Sequence, residues 1–242
     1  MGVVKPYNQE TDSKKSQVSR MFNKIAPYYD FLNKLLSLGI DRRWRKKTVQ
    51  QLQEKQPKTI LDVATGTADV AIECANKLNP DKVVGLDISK EMLSIGREKI
   101  KTKALDHIIV LEEGDSEALP YPDDTFDAIT VAFGVRNFEN LSKGLAEMKR
   151  VLKVDGQIVI LEFSKPRYFP FKQLFNAYFK YLLPFIGRLT SKDPKAYRYL
   201  YESVQAFPDG EDFVNILLET GFKSNKCIPL TLGICAIYSA YK

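Results

Sequence analysis

Histidine is nearly absent from the chain: His107 is the single one, and it precedes a segment that reads as a strand. One imidazole cannot build a histidine-rich zinc site, and a histidine-based catalytic triad is equally unsupported, so no metal is expected. Thiols are scarce too. Cys74, Cys227 and Cys235 sit at spacings that match neither a metal site nor a disulfide framework, which points to a reducing cytoplasm. No run reaches the roughly 18 apolar residues of a membrane span, and the N-terminus has no apolar signal region, so neither export nor spanning is indicated. An Asn/Asp-Pro-Pro-Tyr motif is also missing. The aromatic residues cluster in an apolar run instead of alternating with basic ones, so nucleic acid is not an expected partner.

What is present is enough for one α/β domain with an added lid: 242 residues, 44% of them hydrophobic. The net charge of +6 allows an anionic membrane surface or an acidic partner without choosing between them. The chain is organised around Thr59-Ile-Leu-Asp-Val-Ala-Thr-Gly-Thr-Ala-Asp69. Ile60, Leu61 and Val63 form a short apolar strand, and Val70-Ala-Ile-Glu-Cys-Ala75 reads as a helix. A strand, tight loop and helix in this order bring backbone N–H groups close to a ligand. Gly66 can take positive φ and lets the backbone approach. Asp62, at the strand end, can accept from an ammonium or fix the loop. The loop is neither G-x-G-x-x-G nor a P-loop, because no Lys follows.

Residues 1–17 are polar and read as loose. Met21 to Leu36 is dense in apolar residues, and Pro27 divides it into two short helices. Asp41 is placed to cap a helix that begins with the cationic run Arg42-Arg-Trp-Arg-Lys-Lys47 and continues to about Glu54. That run is either a solvated face or a patch for lipid headgroups. Lys82-Val-Val-Gly-Leu-Asp87 is a second strand, with Asp87 25 positions after Asp62. A carboxylate there can hold two ribose hydroxyls of a nucleoside, or it can cap the helix that follows. Ile108 to Gly114 is a third strand, followed by Asp115-Ser116, a polar pair that can meet an adenine edge. Phe126 to Phe133 is a strong fourth strand, continuously apolar as in a sheet covered on both faces. Gly134-Val-Arg-Asn137, a helix over Leu141 to Leu152 and a turn at Val154-Asp-Gly156 lead into a fifth strand, Gln157 to Phe163. The alternation predicts a doubly wound, mostly parallel sheet with ligands beyond the carboxyl ends of its strands. Residues 168–186 carry eight aromatics in nineteen positions. They read as an amphipathic lid over an apolar pocket, a membrane-surface contact, or an ordinary core helix. A helix from Phe207 to Gly221 and two strands, Phe222 to Ile228 and Leu232 to Tyr241, close the chain as an antiparallel hairpin.

Taken together, the acid-loop-Gly segment 62–68, Asp87, Asp115-Ser116 and the terminal hairpin resemble a class I S-adenosylmethionine-dependent methyltransferase. More narrowly, several segments resemble the ubiquinone/menaquinone-biosynthesis C-methyltransferase family. They are Met21-Phe-x-x-Ile-Ala-x-x-Tyr-Asp30, Leu38-Gly-Ile-Asp-Arg-Arg-Trp44, Phe133-Gly-Val-Arg-Asn137, Leu152-Lys-Val-Asp-Gly156, Glu162-Phe-Ser-Lys-Pro166 and Ser203-Val-Gln-Ala-Phe-Pro208. The resemblance covers nearly the whole chain. It implies a Rossmann-like sheet of seven strands, with an N-terminal helical cap over 1–56. The cofactor domain would span 57–242 and carry an aromatic-rich lid at 166–206. Two departures stand out. Of a loop patterned acid-x-Gly-x-Gly-x-Gly, only the middle Gly remains, and Ala68 is expected to hold the backbone in ordinary φ/ψ space. Ala132 stands where the family often has Ser.

The resemblance also implies the chemistry: transfer of a methyl from S-adenosylmethionine to a ring carbon of a prenylated quinol, most simply demethylmenaquinol. Asp62, Gly66, Thr67, Asp87, Asp115 and Ser116 would meet the cofactor. Arg136 would face a phenolate, Asn137 the other oxygen, and Tyr28 or Asp30 would relay a proton. A loop salt bridge with a helix cap is the alternative for Arg136 and Asn137. A benzoquinol acceptor and a non-catalytic accessory subunit of a quinone-synthesis complex remain as alternatives. Transient contact of the basic helix with a membrane surface is compatible with a cytoplasmic protein, and a homodimer stays open.

Overall fold

The computed structural model describes residues 4–7, 11–178 and 194–242. Helix α1 spans Lys14–Leu36, and its first turn is capped by the Ser13 hydroxyl, which accepts the Ser16 N–H at 3.2 Å. This corrects two expectations. Residues 14–17 are helical, with Lys14 and Gln17 buried, and α1 passes through Pro27 as one helix. Phe22, Ile25, Tyr29, Leu32 and Leu36 recur at spacings of three and four along it and face one cavity. Burial of that stripe on both sides of Pro27 offsets the one backbone bond that proline removes.

Helix α2 is Asp41–Gln50. Asp41 does not cap it: Ile40 holds the cap position, while the Asp41 carboxylate accepts the Ser37 hydroxyl at 2.7 Å and pairs with Arg45. Trp44, Val49 and Leu52 sink into the same core cluster as Ile60, Val83 and Val159, so the basic helix has one face built into the sheet.

Seven strands make one sheet in the order β3-β2-β1-β4-β5-β7-β6. These are β1 (Thr59–Val63), β2 (Lys82–Asp87), β3 (Ile109–Glu113), β4 (Phe126–Ala132), β5 (Leu152–Phe163), β6 (Lys223–Leu230) and β7 (Cys235–Tyr241). Pairing is parallel from β3 through β5 and antiparallel for β5 with β7 and β7 with β6. The doubly wound sheet with a terminal hairpin is therefore as the alternation of elements predicts. Strand β5 starts earlier than expected. The turn at Val154-Asp-Gly156 is an irregularity inside it, where the register steps from Phe126↔Leu152 to Ala128↔Gln157 and Asp155 takes φ 59°.

Side chains alternate across the pleat. Leu61, Val63, Ile129, Val131, Ile158 and Ile160 meet helices α5 (Leu141–Val151) and α8 (Glu211–Glu219) on one face. Ile60, Val83, Ala128 and Val159 meet α2, α3 (Asp69–Leu78) and α4 (Lys90–Thr102) on the other. Both faces are covered, which explains the continuous apolar runs of the central strands. Helices α6 (Phe171–Ala177) and α7 (Pro194–Ala206) join α1 through Leu32, Phe175, Tyr197 and Val204, beyond the carboxyl ends of the strands. Of the aromatic segment 168–186, positions 179–186 lie outside the described residues, as do 187–193 of the lid drawn at 166–206. Among the described residues no helix is long and apolar enough to cross a membrane.

Candidate active site

Crossovers diverge between β1 and β4, and there the carboxyl ends of the strands frame two adjacent cavities. The smaller, about 80 Å³, lies at the loop after β1 and is lined by Ala64, Gly66, Asp87, Ile88, Asp115 and Ser116, with α1 across it. The loop is sharply wound: Ala64, Gly66 and Ala68 take φ values of 55°, 56° and 66°. Gly66 adopts the positive φ that its lack of Cβ makes cheap. Ala68 does so as well, against the expectation of ordinary backbone there. Its N–H donates to the Thr65 carbonyl at 2.9 Å and its methyl is fully buried at the head of α3. An unbranched methyl tolerates the left-handed region at about 1–2 kcal/mol, which the surrounding packing offsets.

Asp87 closes the loop from β2. Its Oδ2 accepts the Gly66 N–H and its Oδ1 the Ser89 N–H, each at 2.8 Å. Burial pushes its carboxyl upward, against the pull of these backbone donors. The cap of α4 is Ser89, which accepts the Met92 N–H at 3.3 Å. Asp115 pairs with Lys15 of α1.

Asp62 and Thr67 support the loop from behind and do not line either cavity. Asp62 is fully buried and accepts hydroxyl bonds from Thr65 at 2.6 Å and Thr130 at 2.7 Å. Desolvation pushes its carboxyl up to about 6 despite those bonds. Thr67 donates to Asp30 at 2.7 Å, and Lys99 holds both. Asp30 is thus bound to the outside of the loop, and Tyr28 is 42% exposed. Neither lines the cavities, so the geometry does not carry a proton relay through them. Tyr28 lies one position off the apolar stripe of α1, about 100° around the helix. Tyr29, on the stripe, lines both cavities, and the spacing of that stripe is the signal that could have selected it.

The larger cavity, about 1260 Å³, is enclosed chiefly by apolar and aromatic side chains of α1, α2, α6 and α7, with Phe133 and Phe163 from the sheet. Gly134 lines the small cavity beside Ala64, and a Cβ there would sit 2.6 Å from that of Ala64. Arg136 and Asn137, on the single turn Val135–Asn137, both reach the large cavity. Arg136 also makes the salt bridge foreseen as its alternative role: Nη1 donates to Glu162 Oε1 at 2.7 Å. Asn137 receives the Tyr199 hydroxyl on Oδ1 at 3.1 Å and donates from Nδ2 to the Phe133 carbonyl at 3.2 Å.

Lys14 bonds the carbonyls of Arg136 and Phe138 at 3.0 and 2.8 Å, and burial draws its ammonium down to about 8. The sequence assigned no site role to Glu162, although it opens one of the family-like segments, nor to Tyr199 or Lys14, because their partners lie 26, 62 and 122 positions away.

The small cavity has the donor set of a nucleoside site: a wound backbone loop, a carboxylate at the end of β2, apolar Ile88 and Met92, and the Asp115–Ser116 pair. The chemistry of these groups, though not the volume of the cavity as it stands, suits S-adenosylmethionine.

Solved structures share the architecture. A SAM-dependent methyltransferase from Thermotoga maritima superimposes with a TM-score of 0.66 at 14% identity, covering 93% of this chain and 99% of that one. Phosphoethanolamine N-methyltransferase 2 of Haemonchus contortus, in complex with S-adenosyl-L-methionine, gives 0.56 at 14%, covering 76% and 48%. Curated relatives are nearer in sequence. The demethylmenaquinone methyltransferase of Bacteroides fragilis is 50% identical over 99% of this chain and 97% of its own. That of Porphyromonas gingivalis is 43% identical over 99% and 98%. The ubiquinone/menaquinone biosynthesis C-methyltransferase UbiE of Geotalea uraniireducens is 46% identical over 95% and 97%. Residues 10–242 match one family throughout, and the chain belongs to the ubiE/COQ5 methyltransferase family.

Proposed function

We propose that this enzyme methylates a ring carbon of a prenylated quinol, with demethylmenaquinol as its acceptor. The observation that carries the reading is the seam between the two cavities. Phe22, Tyr29, Phe133 and Asn137 line both, so a site with the donors for a nucleoside shares a wall with a large apolar cavity. S-adenosylmethionine, when bound, supplies an electrophilic methyl on a sulfonium. The protein's part is placement, because an in-line transfer needs its reacting atoms about 3–3.5 Å apart and little covalent help.

Gly66 and Asp87 hold the nucleoside, with Asp115 and Ser116 toward the base. Admitting it requires α1 to shift outward, because about 80 Å³ is well below the roughly 300 Å³ of a small-ligand pocket. The ring carbon of a quinol becomes nucleophilic as its hydroxyl gives a proton to water, and the carbon that has taken the methyl then sheds its ring proton the same way. Arg136, with its planar fork of N–H donors, stabilises the resulting phenolate, and Asn137 holds the second oxygen. The apolar cavity takes the ring and the start of the prenyl tail. The described parts of residues 1–56 and 166–206 act as its cap. Near the mouth, Leu38 and Leu174 are 92% and 62% exposed, and Arg42, Arg43, Lys46 and Lys47 of α2 are exposed as well. This rim suits an anionic bilayer from which the tail is drawn.

The names of the Bacteroides and Porphyromonas relatives favour a naphthoquinol, and the Geotalea name keeps a benzoquinol as the second reading. Calorimetric titration with S-adenosylmethionine tests the cofactor site: micromolar binding is expected for the wild type and at least about 100-fold weaker binding for Asp87→Ala, which loses two or three charge-assisted hydrogen bonds. Turnover of demethylmenaquinol against a benzoquinol of equal tail length tests the acceptor. Absence of binding, or turnover of neither quinol, refutes the proposal.

A further inference from the structure

The buried pair beneath the cavity has a geometry that packing alone does not explain. Glu162, at the carboxyl end of β5, is fully buried. Its Oε1 accepts Nη1 of Arg136 at 2.7 Å and the Phe163 N–H at 2.8 Å, and its Oε2 lies 3.4 Å from the Arg136 N–H. Nη1 also donates to the Phe133 carbonyl. The guanidinium carbon stands 5.4 Å from the centroid of the Phe163 ring. One arm of the fork is thus fully engaged, whereas Nε is buried without an acceptor. A buried ion pair contributes little stability compared with apolar side chains of the same volume, and an unpaired buried N–H is a cost. A further acceptor reaching this guanidinium would relieve that cost.

We infer that Glu162 is a positioning residue for methyl transfer: it anchors Nη1 and balances the charge of Arg136, so that the free edge of the fork is set for a quinol oxygen. This rests on the reading of Arg136 as the group that faces that oxygen. A guanidinium is planar, so holding one arm fixes the plane in which its other donors lie. Anchoring also removes rotamers that a long side chain would otherwise have to lose on binding substrate. Neutralisation matters equally. With Glu162 ionised the pair carries no net charge, and the phenolate is stabilised by directed N–H donors in place of a mobile cation.

Two substitutions separate geometry from charge. Glu162→Asp keeps the charge but withdraws the carboxylate by one methylene. With the fork displaced by on the order of 1 Å, kcat for demethylmenaquinol is expected to fall about 100-fold, with the acid limb of the kcat–pH profile unmoved. Glu162→Gln keeps the shape and removes the charge. The uncompensated guanidinium then favours phenolate, and the acid limb should move to lower pH by about one unit. The other titratable or charged groups around the pair are Lys14 and Tyr29 of α1, Tyr199 of α7, and Cys235 and Tyr238 of β7. Burial pushes the phenols and the thiol upward and draws the Lys14 ammonium down to about 8, so none of these accounts for an acid limb. Burial also raises the Glu162 carboxyl itself, against the pull of Arg136, and Glu162→Asp, which keeps a carboxyl there, is the control for its own protonation.

In an Arg136→Met background, Glu162→Asp should cause no further loss of kcat, because Glu162 acts through Arg136. Thermal melts and S-adenosylmethionine calorimetry identify folded, cofactor-binding variants, and Glu162→Asp supplies the test if Glu162→Gln does not fold. Folded variants with wild-type kcat and an unshifted acid limb overturn the inference, as does a full further loss in the double variant. A wild type that turns over neither quinol removes the underlying reading, and the inference with it. An active wild type with indifferent variants removes the inference alone.

Discussion

Replacing Asp62 by asparagine probes the buried acid behind the cofactor loop. The carboxyl is desolvated at the end of β1 and pushed from 3.8 to about 6, with hydroxyl bonds from Thr65 and Thr130 pulling the other way. A folded-state pKa above the unfolded value contributes stability that is fully present below the unfolded pKa. That stability is lost as pH rises through the folded one. At pH 5 the group is about one unit below its folded pKa, so about 1.4 kcal/mol of its contribution remains, and at pH 8 almost none does. Asparagine has the same shape and no titration. The stability difference, wild type minus Asp62→Asn, should therefore fall by about 1.4 kcal/mol between pH 5 and pH 8. Urea unfolding of both proteins at the two pH values measures it, and subtracting the variant cancels the other titrating groups. A difference that stays constant within about 0.4 kcal/mol, or that grows with pH, refutes the assignment of a desolvated carboxyl at this position.

Three further outcomes follow from the same geometry. Ala68→Val places a branched side chain at φ 66° in a fully buried site, and should cost about 3 kcal/mol in urea unfolding; a loss below about 1 kcal/mol would contradict the left-handed loop. Trp44 is the single tryptophan, lines the large cavity 6.2 Å from Phe133 and donates to Thr231 at 2.8 Å. A quinone that enters this cavity should quench its emission in a saturable way, and unchanged emission would place the ligand elsewhere. Leu38→Asp with Leu174→Asp should abolish cosedimentation with anionic vesicles while leaving S-adenosylmethionine affinity unchanged. Equal sedimentation of variant and wild type argues against a lipid-facing rim.

Local pattern in the sequence was sufficient for much of this molecule. The alternation of apolar strands with helical segments determined the doubly wound sheet. The continuous run of β4 implied that both faces are covered, and Gly66 between Asp62 and Asp87 marked the loop where backbone meets ligand. Each of these features depends on neighbours a few residues apart, which periodicity and turn chemistry record directly.

Tertiary structure decided the rest. Ala68 is left-handed because packing around a methyl outweighs backbone preference. Pro27 stays inside α1 because the stripe on either side of it is buried together. Tyr29 enters the cavities while Tyr28 turns away, a difference of one residue in helical phase. Glu162, Lys14 and Tyr199 converge on the Arg136–Asn137 turn from a strand and two helices distant in sequence. Such convergence leaves no local trace, because the energy that favours it appears only when the partners share one desolvated site.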